Sequence, residues 1–406
     1  MIAALALLAA VAVSAWAASR SWQAAALAVA LLAASFFFHA ASLAARTDIL
    51  AAAFALAALA AWIADPKAYG WRLPLFAALA WLTRATSCAV PIGLLLWAAT
   101  RGEWKLALRF GSRLALFLLA GVALSIPIGG PVWFMDALRV ILFAPPNLSF
   151  AIRGPAEILR YVGTHAEFAA ACALALALLA QRRLGLTPLR WSAGASLALA
   201  LLVMSNRGSD YNHLLELQAI ACVAAGILIA ESLALARPKR DGGTQEIGSD
   251  APEGAWRSLP ALLGALVIVA ASWRDLHAIG RQARDPSERR VEIVAAIRAE
   301  PGRVLTEDPM LALLAGRSPA ISEPALLRAL LRRRDPRALR IVESVRQREW
   351  GLVVLNDDLE AAADGWYRDF HLGPEMVEAL RANYVPTGKV REFFLYRPAG
   401  DAAAGK

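Results

Sequence analysis

The chain has 406 residues, 58% of them hydrophobic and only 18% charged, with a formal net charge of +9. Soluble domains sit near 45–50% apolar with about 25% charge, so a wholly soluble chain is excluded. The positive excess does not mark a nucleic-acid binder, because it lies mostly in short loops between apolar blocks and no basic stripe alternates with exposed aromatics.

A helix needs about 20 apolar residues to cross a bilayer core. In chain order the apolar blocks are 2–19, 22–41, 48–64, 73–83, 88–100, 114–128, 166–180, 191–205, 214–236 and 259–273, about ten candidate spans. The first is read as a span and not as a signal peptide, since Arg20 follows it and no basic region precedes it. The fourth and fifth blocks are short and share a break at Arg84. They are either two half-length helices meeting at membrane depth or two full spans with other ends. The segment 129–165 is long and semi-apolar, with Trp133, Phe134, Phe143, Phe150 and Pro145-Pro146, and is expected to form short helices on the membrane surface. Residues 241–253 read as a flexible loop. Cys88, Cys172 and Cys222 all lie in apolar blocks without metal-like spacing and read as small buried hydrophobes.

Lys and Arg concentrate in alternate loops: Arg20; Lys67 and Arg72; Arg101, Lys105, Arg109 and Arg113; Arg182, Arg183 and Arg190; Arg237, Lys239, Arg240 and Arg257. The positive-inside rule places those loops in the cytoplasm and both termini outside. An N-terminus outside is explained most simply by a further helix upstream of Met1, so a truncated form of a longer protein is expected.

After Trp273 the pattern becomes that of a soluble domain. Helices are predicted over 289–300, 310–315, 324–333 and 337–348, and strands over 303–306, 351–355 and 390–396. Two domains follow: a polytopic helical body over 1–273 and a small extracytoplasmic α/β domain over 274–406.

Ionisable groups at membrane depth are expensive and mark function by default. Three constellations stand out. Arg46-Thr-Asp48 opens the third block; the two charges either pair locally, with Asp48 favoured at a helix start, or bind an anionic ligand and its hydroxyls. Thr83-Arg-Ala-Thr-Ser87 puts Arg84 among hydroxyls, where its guanidinium suits a lipid-linked phosphate, or else snorkels to headgroups. The run 206–213 carries Asp210, Asn212 and His213, with Glu216 following. Asn212 and Glu216 share a helix face, and a carboxylate at that depth needs a partner such as Arg84 or Arg46. The alternative for this cluster is a structural polar network that locks helices together. His39, His165 and His277 are isolated, Asp136 and Arg139 lie in the surface segment, and Asn356-Asp-Asp358 follows a strand. No P-loop, GxGxxG or HExxH occurs, so ATP-driven and dinucleotide chemistry have no support, and neither cofactor nor metal is expected.

The residues of 45–51, of 81–87 with Ala89-Val-Pro91, and of 208–217 resemble the bacterial polytopic glycosyltransferases of the GT-C fold, in the set related to protein O-mannosyltransferases (glycosyltransferase family 39) and aminoarabinose transferases. The run 305–309 with Gly316-Arg-Ser-Pro319 is similar to their tail domain. The resemblance implies inverting sugar transfer from a polyprenyl-phosphate donor to a glycan, lipid or protein acceptor on the outer face of the cytoplasmic membrane. It implies a donor phosphate held by a basic residue, here Arg84, and a carboxylate base in the first outer loop. The chain departs from the pattern with Arg84-Ala-Thr in place of a more usual Lys-Gln-Thr, and with Asn212-His213 in place of Asn-Tyr. The first helix and its acidic loop have no counterpart, so the base is expected to be missing. The alternatives are a lipid or solute transporter or flippase, and a catalytically inactive scaffold whose α/β domain binds a partner.

Overall fold

The computed structural model describes residues 2–43, 47–67, 70–143, 153–181, 186–205, 211–235, 264–268, 270–271, 273, 286–321, 324–360 and 365–400. The chain divides into two compact units, Met1–Ile279 and Gly280–Lys406.

Among the described residues the regular elements of the first unit are helices: α1 (Ile2–Ser19), α2 (Trp22–Ala33), α3 (Phe36–Leu43), α4 (Thr47–Ala64), α5 (Arg72–Thr83), α6 (Ala89–Thr100), α7 (Trp104–Phe143), α8 (Arg153–Thr164), α9 (Ala166–Leu179), α10 (Thr187–Met204) and α11 (Leu215–Leu235). Among the described residues, five stretches are each long and apolar enough to cross a membrane: Ile2–Ser19, Thr47–Ala64, Trp104–Pro127, Thr187–Met204 and Asn212–Ala234. Two bent pairs, α2 with α3 and α8 with α9, raise the number to seven if each is one span. Large apolar side chains such as Leu108, Leu116, Leu119 and Leu124 on α7 are mostly exposed, which water would penalise and lipid does not. The unit is a polytopic helical membrane body.

The difference from ten spans has local causes. The block 22–41 is broken by a 65° bend, because buried Ser35 accepts the Phe38 N–H and starts a new helix. α5 and α6 have 12 residues each, a rise of roughly 18 Å, short of a bilayer core. Of the last block, 259–273, only pieces fall among the described residues. The surface segment also differs: α7 runs on without interruption to Phe143, and only α8 is a separate short helix. The side chains of Asp136 and Arg139, the Pro145-Pro146 pair, and the loop 241–253 lie outside the described residues.

Packing in this unit relies on small residues. α1 lies on α4, α2 on α11, α9 on α11, and α6 on α10. A Cβ on Gly226 of α11 would sit 2.7 Å from the Ala28 amide nitrogen of α2, and one on Gly93 of α6 would sit 2.8 Å from the Trp191 carbonyl of α10. Backbones approach this closely only where Gly removes the side chain.

The second unit has a four-stranded sheet in the order β1-β2-β4-β3, with β1 (Arg303–Thr306) parallel to β2 (Trp350–Leu355), and β4 (Phe393–Pro398) antiparallel to both β2 and β3 (Tyr384–Val390). Its helices are α12 (Pro286–Ala299), α13 (Pro309–Leu314), α14 (Pro324–Arg332), α15 (Pro336–Arg346) and α16 (Pro374–Asn383). Alternate strand residues feed two cores. Leu305, Val353 and Leu355 pack with α14, α15 and α16, whereas Val304, Leu352 and Val354 pack with α12 and α13. The result is a helix–sheet–helix sandwich. Strand β3, helix α16 and the π-turn Trp366–His371 are additions to the predicted elements.

Candidate functional site

The break between α5 and α6 organises the site. Thr83 turns its hydroxyl back to the Leu79 carbonyl, and Arg84 leaves the helix in an extended conformation (φ −155°, ψ 118°) while its N–H still reaches Ala80. The chain then turns, with Ser87 N–H donating to the Arg84 carbonyl, and enters α6. Arg84 forms a salt bridge with Asp48 in the first turn of α4, where the helix dipole favours a carboxylate. Arg84 Nη1 donates to the Asn212 carbonyl at 3.0 Å, and Nη2 lies 2.6 Å from His213 Nδ1. A guanidinium can only donate, so His213 Nδ1 is the acceptor and the ring proton sits on Nε2. Asn212 Nδ2 completes the ring of contacts by donating to Asp48 Oδ2 at 3.2 Å.

These groups line one cleft, with Thr86, Ser87, Ser196 and Glu216, whose cavity volume is about 20 Å³. Glu216, in the first turn of α11, is buried beside Ser87, the Ala89 N–H and the charge of Arg84. Among the described residues, Asn212 Oδ1 and Glu216 Oε1 are buried acceptors with no hydrogen-bond partner. Buried acceptors of that kind are normally paired, so each calls for a donor in the cleft. The site therefore offers one fixed guanidinium and two open acceptors. That is the complement of a ligand carrying both an anionic group and hydroxyl donors.

Asp48, Arg84, Asn212, His213 and Glu216, from three separate stretches of sequence, thus meet at one place. Arg46 and Asp210 lie outside the described residues. Asp48 meets Arg84, 36 positions on, across the helix interface. Ser196 was missed by sequence reasoning; its signal is a hydroxyl in an otherwise apolar stretch of α10.

A second polar group was also missed. Glu167, in the first turn of α9, is fully buried 3.6 Å from His165, whose ring stacks on Phe36 at 4.4 Å and on Tyr161 at 6.0 Å. A carboxylate at the head of an apolar block was the available signal. His39 is not isolated either; its Nε2 lies 2.5 Å from the Ala33 carbonyl. His277 lies outside the described residues.

In the second unit, Glu307 follows β1 and is buried. It accepts from Tyr367 Oη at 2.7 Å and from the Asn356 N–H at 2.7 Å, and lies 2.7 Å from His371 Nε2. Burial alone would raise its carboxyl, but the bonds from His371, Asn356 and Tyr367 outweigh it and hold the group below the usual carboxylate range. Burial, joined by the Glu307 charge, pushes the Tyr367 phenol up. This network ties the loop after β2 and the π-turn to the end of β1. It accounts for Asn356 and Asp357 as loop anchors, since Asp357 N–H donates to Tyr367 Oη at 2.8 Å. Among the described residues no group of three His, Cys, Asp or Glu is placed to hold a metal ion.

No family model matches the sequence, and no curated protein matches it. Two solved structures resemble its backbone. One is ArnT from Cupriavidus metallidurans bound to undecaprenyl phosphate, with a TM-score of 0.49 and 14% identity, covering 99% of this chain and 84% of that one. The other is the same protein in the apo state, with a TM-score of 0.48 and 13% identity, covering 98% and 83%.

Proposed function

We propose that the chain is a membrane glycosyltransferase-like protein of the GT-C kind, handling a sugar carried on polyprenyl phosphate at the outer face of the cytoplasmic membrane. The observation that carries this reading is the Arg84 cleft: a guanidinium locked in orientation by Asp48, Asn212 and His213, beside two buried acceptors without partners. Guanidinium matches phosphate in a forked, charge-assisted geometry, and sugar hydroxyls are the donors that Asn212 Oδ1 and Glu216 Oε1 lack. When the sugar leaves the lipid phosphate, negative charge grows on that phosphate. A preorganised cation there lowers the barrier most effectively in a site shielded from water. The described residues are assigned donor binding, and no base is assigned to them. In this reading the second unit lies outside the membrane, and the acceptor is a glycan, lipid or protein.

The test is transfer from a polyprenyl-phosphate sugar in vesicles. Arg84→Ala should lower transfer about 10²–10³-fold, and unchanged turnover would remove Arg84 from the site. One observation favours the transporter or flippase reading instead: two helix pairs bent by 65° and 109°, since broken helices line the sites of transporters. Lipid movement without sugar transfer in the same vesicles would decide for it.

A further inference from the structure

The membrane body has a second cavity, which shares α10 and α11 with the Arg84 cleft through other residues and differs from it in chemistry. It is a groove of about 470 Å³ between α8, α9, α10 and α11, lined almost entirely by apolar groups. Along α9 it runs from Phe168 to Ala180, 12 residues or roughly 18 Å. That is a little more than half of a bilayer core of about 30 Å, the depth of one leaflet. Leu176 and Leu197 on its walls are largely exposed, so the groove opens sideways to lipid.

One cation lies in its lining. Arg190, near the start of α10, donates from Nε to the Leu179 carbonyl at the end of α9, at 3.1 Å. That bond fixes the guanidinium at the mouth of the groove. Its Nη2 is buried and has no hydrogen-bond partner among the described residues. A buried charged donor left unpaired is costly, so the position calls for an acceptor, preferably an anion. Arg190 is also 13 positions along α10 from Val203, which lines the Arg84 cleft. At 1.5 Å per residue Arg190 lies roughly 20 Å along α10 from the Val203 end of the cleft, while the far end of the groove, at Leu197 and Leu217, comes level with Ser196 and Glu216 of the cleft.

We propose that this groove is a binding site for one acidic glycerophospholipid of the leaflet opposite the Arg84 cleft, its acyl chain along α9 and its headgroup phosphate on Arg190. The length matches one leaflet, the lining matches an acyl chain, and the Arg190 Nη2 left open at the end, among the described residues, matches a phosphodiester. By the distribution of Lys and Arg among the loops, Arg190 is on the cytoplasmic side, where anionic lipid is enriched and attracts basic groups.

The groove can also be filled without disturbing its walls. A Cβ built on Gly194, which lines it, meets nothing within 4 Å. Gly194→Leu therefore projects a side chain into the space the acyl chain would use.

The experiment uses the full chain, delipidated in detergent, with native mass spectrometry of added phosphatidylglycerol, phosphatidylcholine and polyprenyl phosphate. One saturable phosphatidylglycerol is expected, at least tenfold tighter than phosphatidylcholine. Arg190→Gln should erase that preference, and Gly194→Leu should weaken phosphatidylglycerol binding at least tenfold with helical content unchanged. Because Gly194→Leu leaves the Arg190–Leu179 bond intact, it decides the question even if Arg190→Gln fails to fold. Equal binding of the two phospholipids, or undiminished binding in Gly194→Leu, overturns the proposal. So does a preference for polyprenyl phosphate that Arg190→Gln removes, which would make this the carrier-lipid site.

Discussion

The Arg84–Asp48 pair gives the sharpest test of whether the cleft is only a structural knot. The two side chains are 15% and 6% exposed, so they form a nearly buried ion pair. Removing one partner of such a pair costs about 3–5 kcal/mol, because the other charge stays buried and uncompensated. Arg84→Ala also strips the acceptor contacts at the Asn212 carbonyl and His213 Nδ1, and leaves Asp48 with Asn212 Nδ2 as its remaining donor in this network. Asp48→Ala leaves the guanidinium without its anion. Each single variant should fall in the range of about 3–5 kcal/mol. At roughly 2 °C per kcal/mol for a unit of this size, the melting midpoint drops by about 6–10 °C. The double replacement Arg84→Met with Asp48→Leu removes both charges in similar volume, and should recover most of that loss. The coupling between the two sites should then exceed about 3 kcal/mol. Thermal unfolding of the four proteins in detergent measures stability, and sugar transfer in vesicles measures function. If Arg84 handles donor phosphate, the double variant is stable and inactive. Additive losses of stability would refute the buried-pair reasoning, and a stable, active double variant would refute the phosphate assignment.

Three further outcomes follow. The Glu307 carboxyl is held below its usual range in the folded state, so its network adds stability above the ordinary glutamate range near pH 4.3 and loses it as pH falls through the lowered value; hydrogen-exchange protection at 350–360 and 365–372, corrected for the intrinsic exchange rate at each pH, should fall at acid pH, and Glu307→Gln should flatten that dependence. Gly226→Val forces a Cβ into backbone atoms of α2 and should cost about 1–3 kcal/mol, read as a lower melting midpoint, with little change expected from Gly194→Ala, where space is open. Asp335 caps α15 by accepting the Arg337 N–H at 2.8 Å, and its carboxyl is pushed down to about 2 chiefly by the Arg337 side chain; Asp335→Ala should cost about 1 kcal/mol at pH 7, a difference that shrinks as pH falls below the ordinary Asp range toward 2.

Much of this architecture is legible in single residues. The apolar block 2–19 coincides with α1, and Asp48, Pro324 and Pro336 mark helix starts that the structure keeps. What the sequence hides is bending and long-range pairing. Ser35 looks like any serine in an apolar run, yet as an N-cap it splits a 20-residue block into α2 and α3. The hairpin partner β3 was unreadable because Pro386 and Gly388 interrupt its alternation, and its register with β4 shifts between them. In the cleft, the residue types pointed to a phosphate or hydroxyl ligand, but only the fold says that Asp48 and Asn212 both reach Arg84. Local spacing favoured Arg46 as the partner of Asp48, since helix pairing over 36 positions leaves no trace in a pattern.

The brevity of α5 and α6 connects these points. Twelve residues rise roughly 18 Å, so the irregular stretch from Arg84 to Cys88 falls short of a full crossing. Irregular backbone at such depth is tolerated only where protein or a polar cavity satisfies it. Part of that requirement is met internally, by the Ser87 N–H on the Arg84 carbonyl. The rest falls to the side chains around it: Arg84 reaches across to the Asn212 backbone, and Glu216 comes to lie against Ser87 and the Ala89 N–H. A network closed on itself would leave no acceptor open. Asn212 Oδ1 and Glu216 Oε1 are open nonetheless, on the cleft side of a network whose other members are engaged. The unfilled valences sit beside the one guanidinium of the break, and that placement is what a ligand with an anion and hydroxyls would complete.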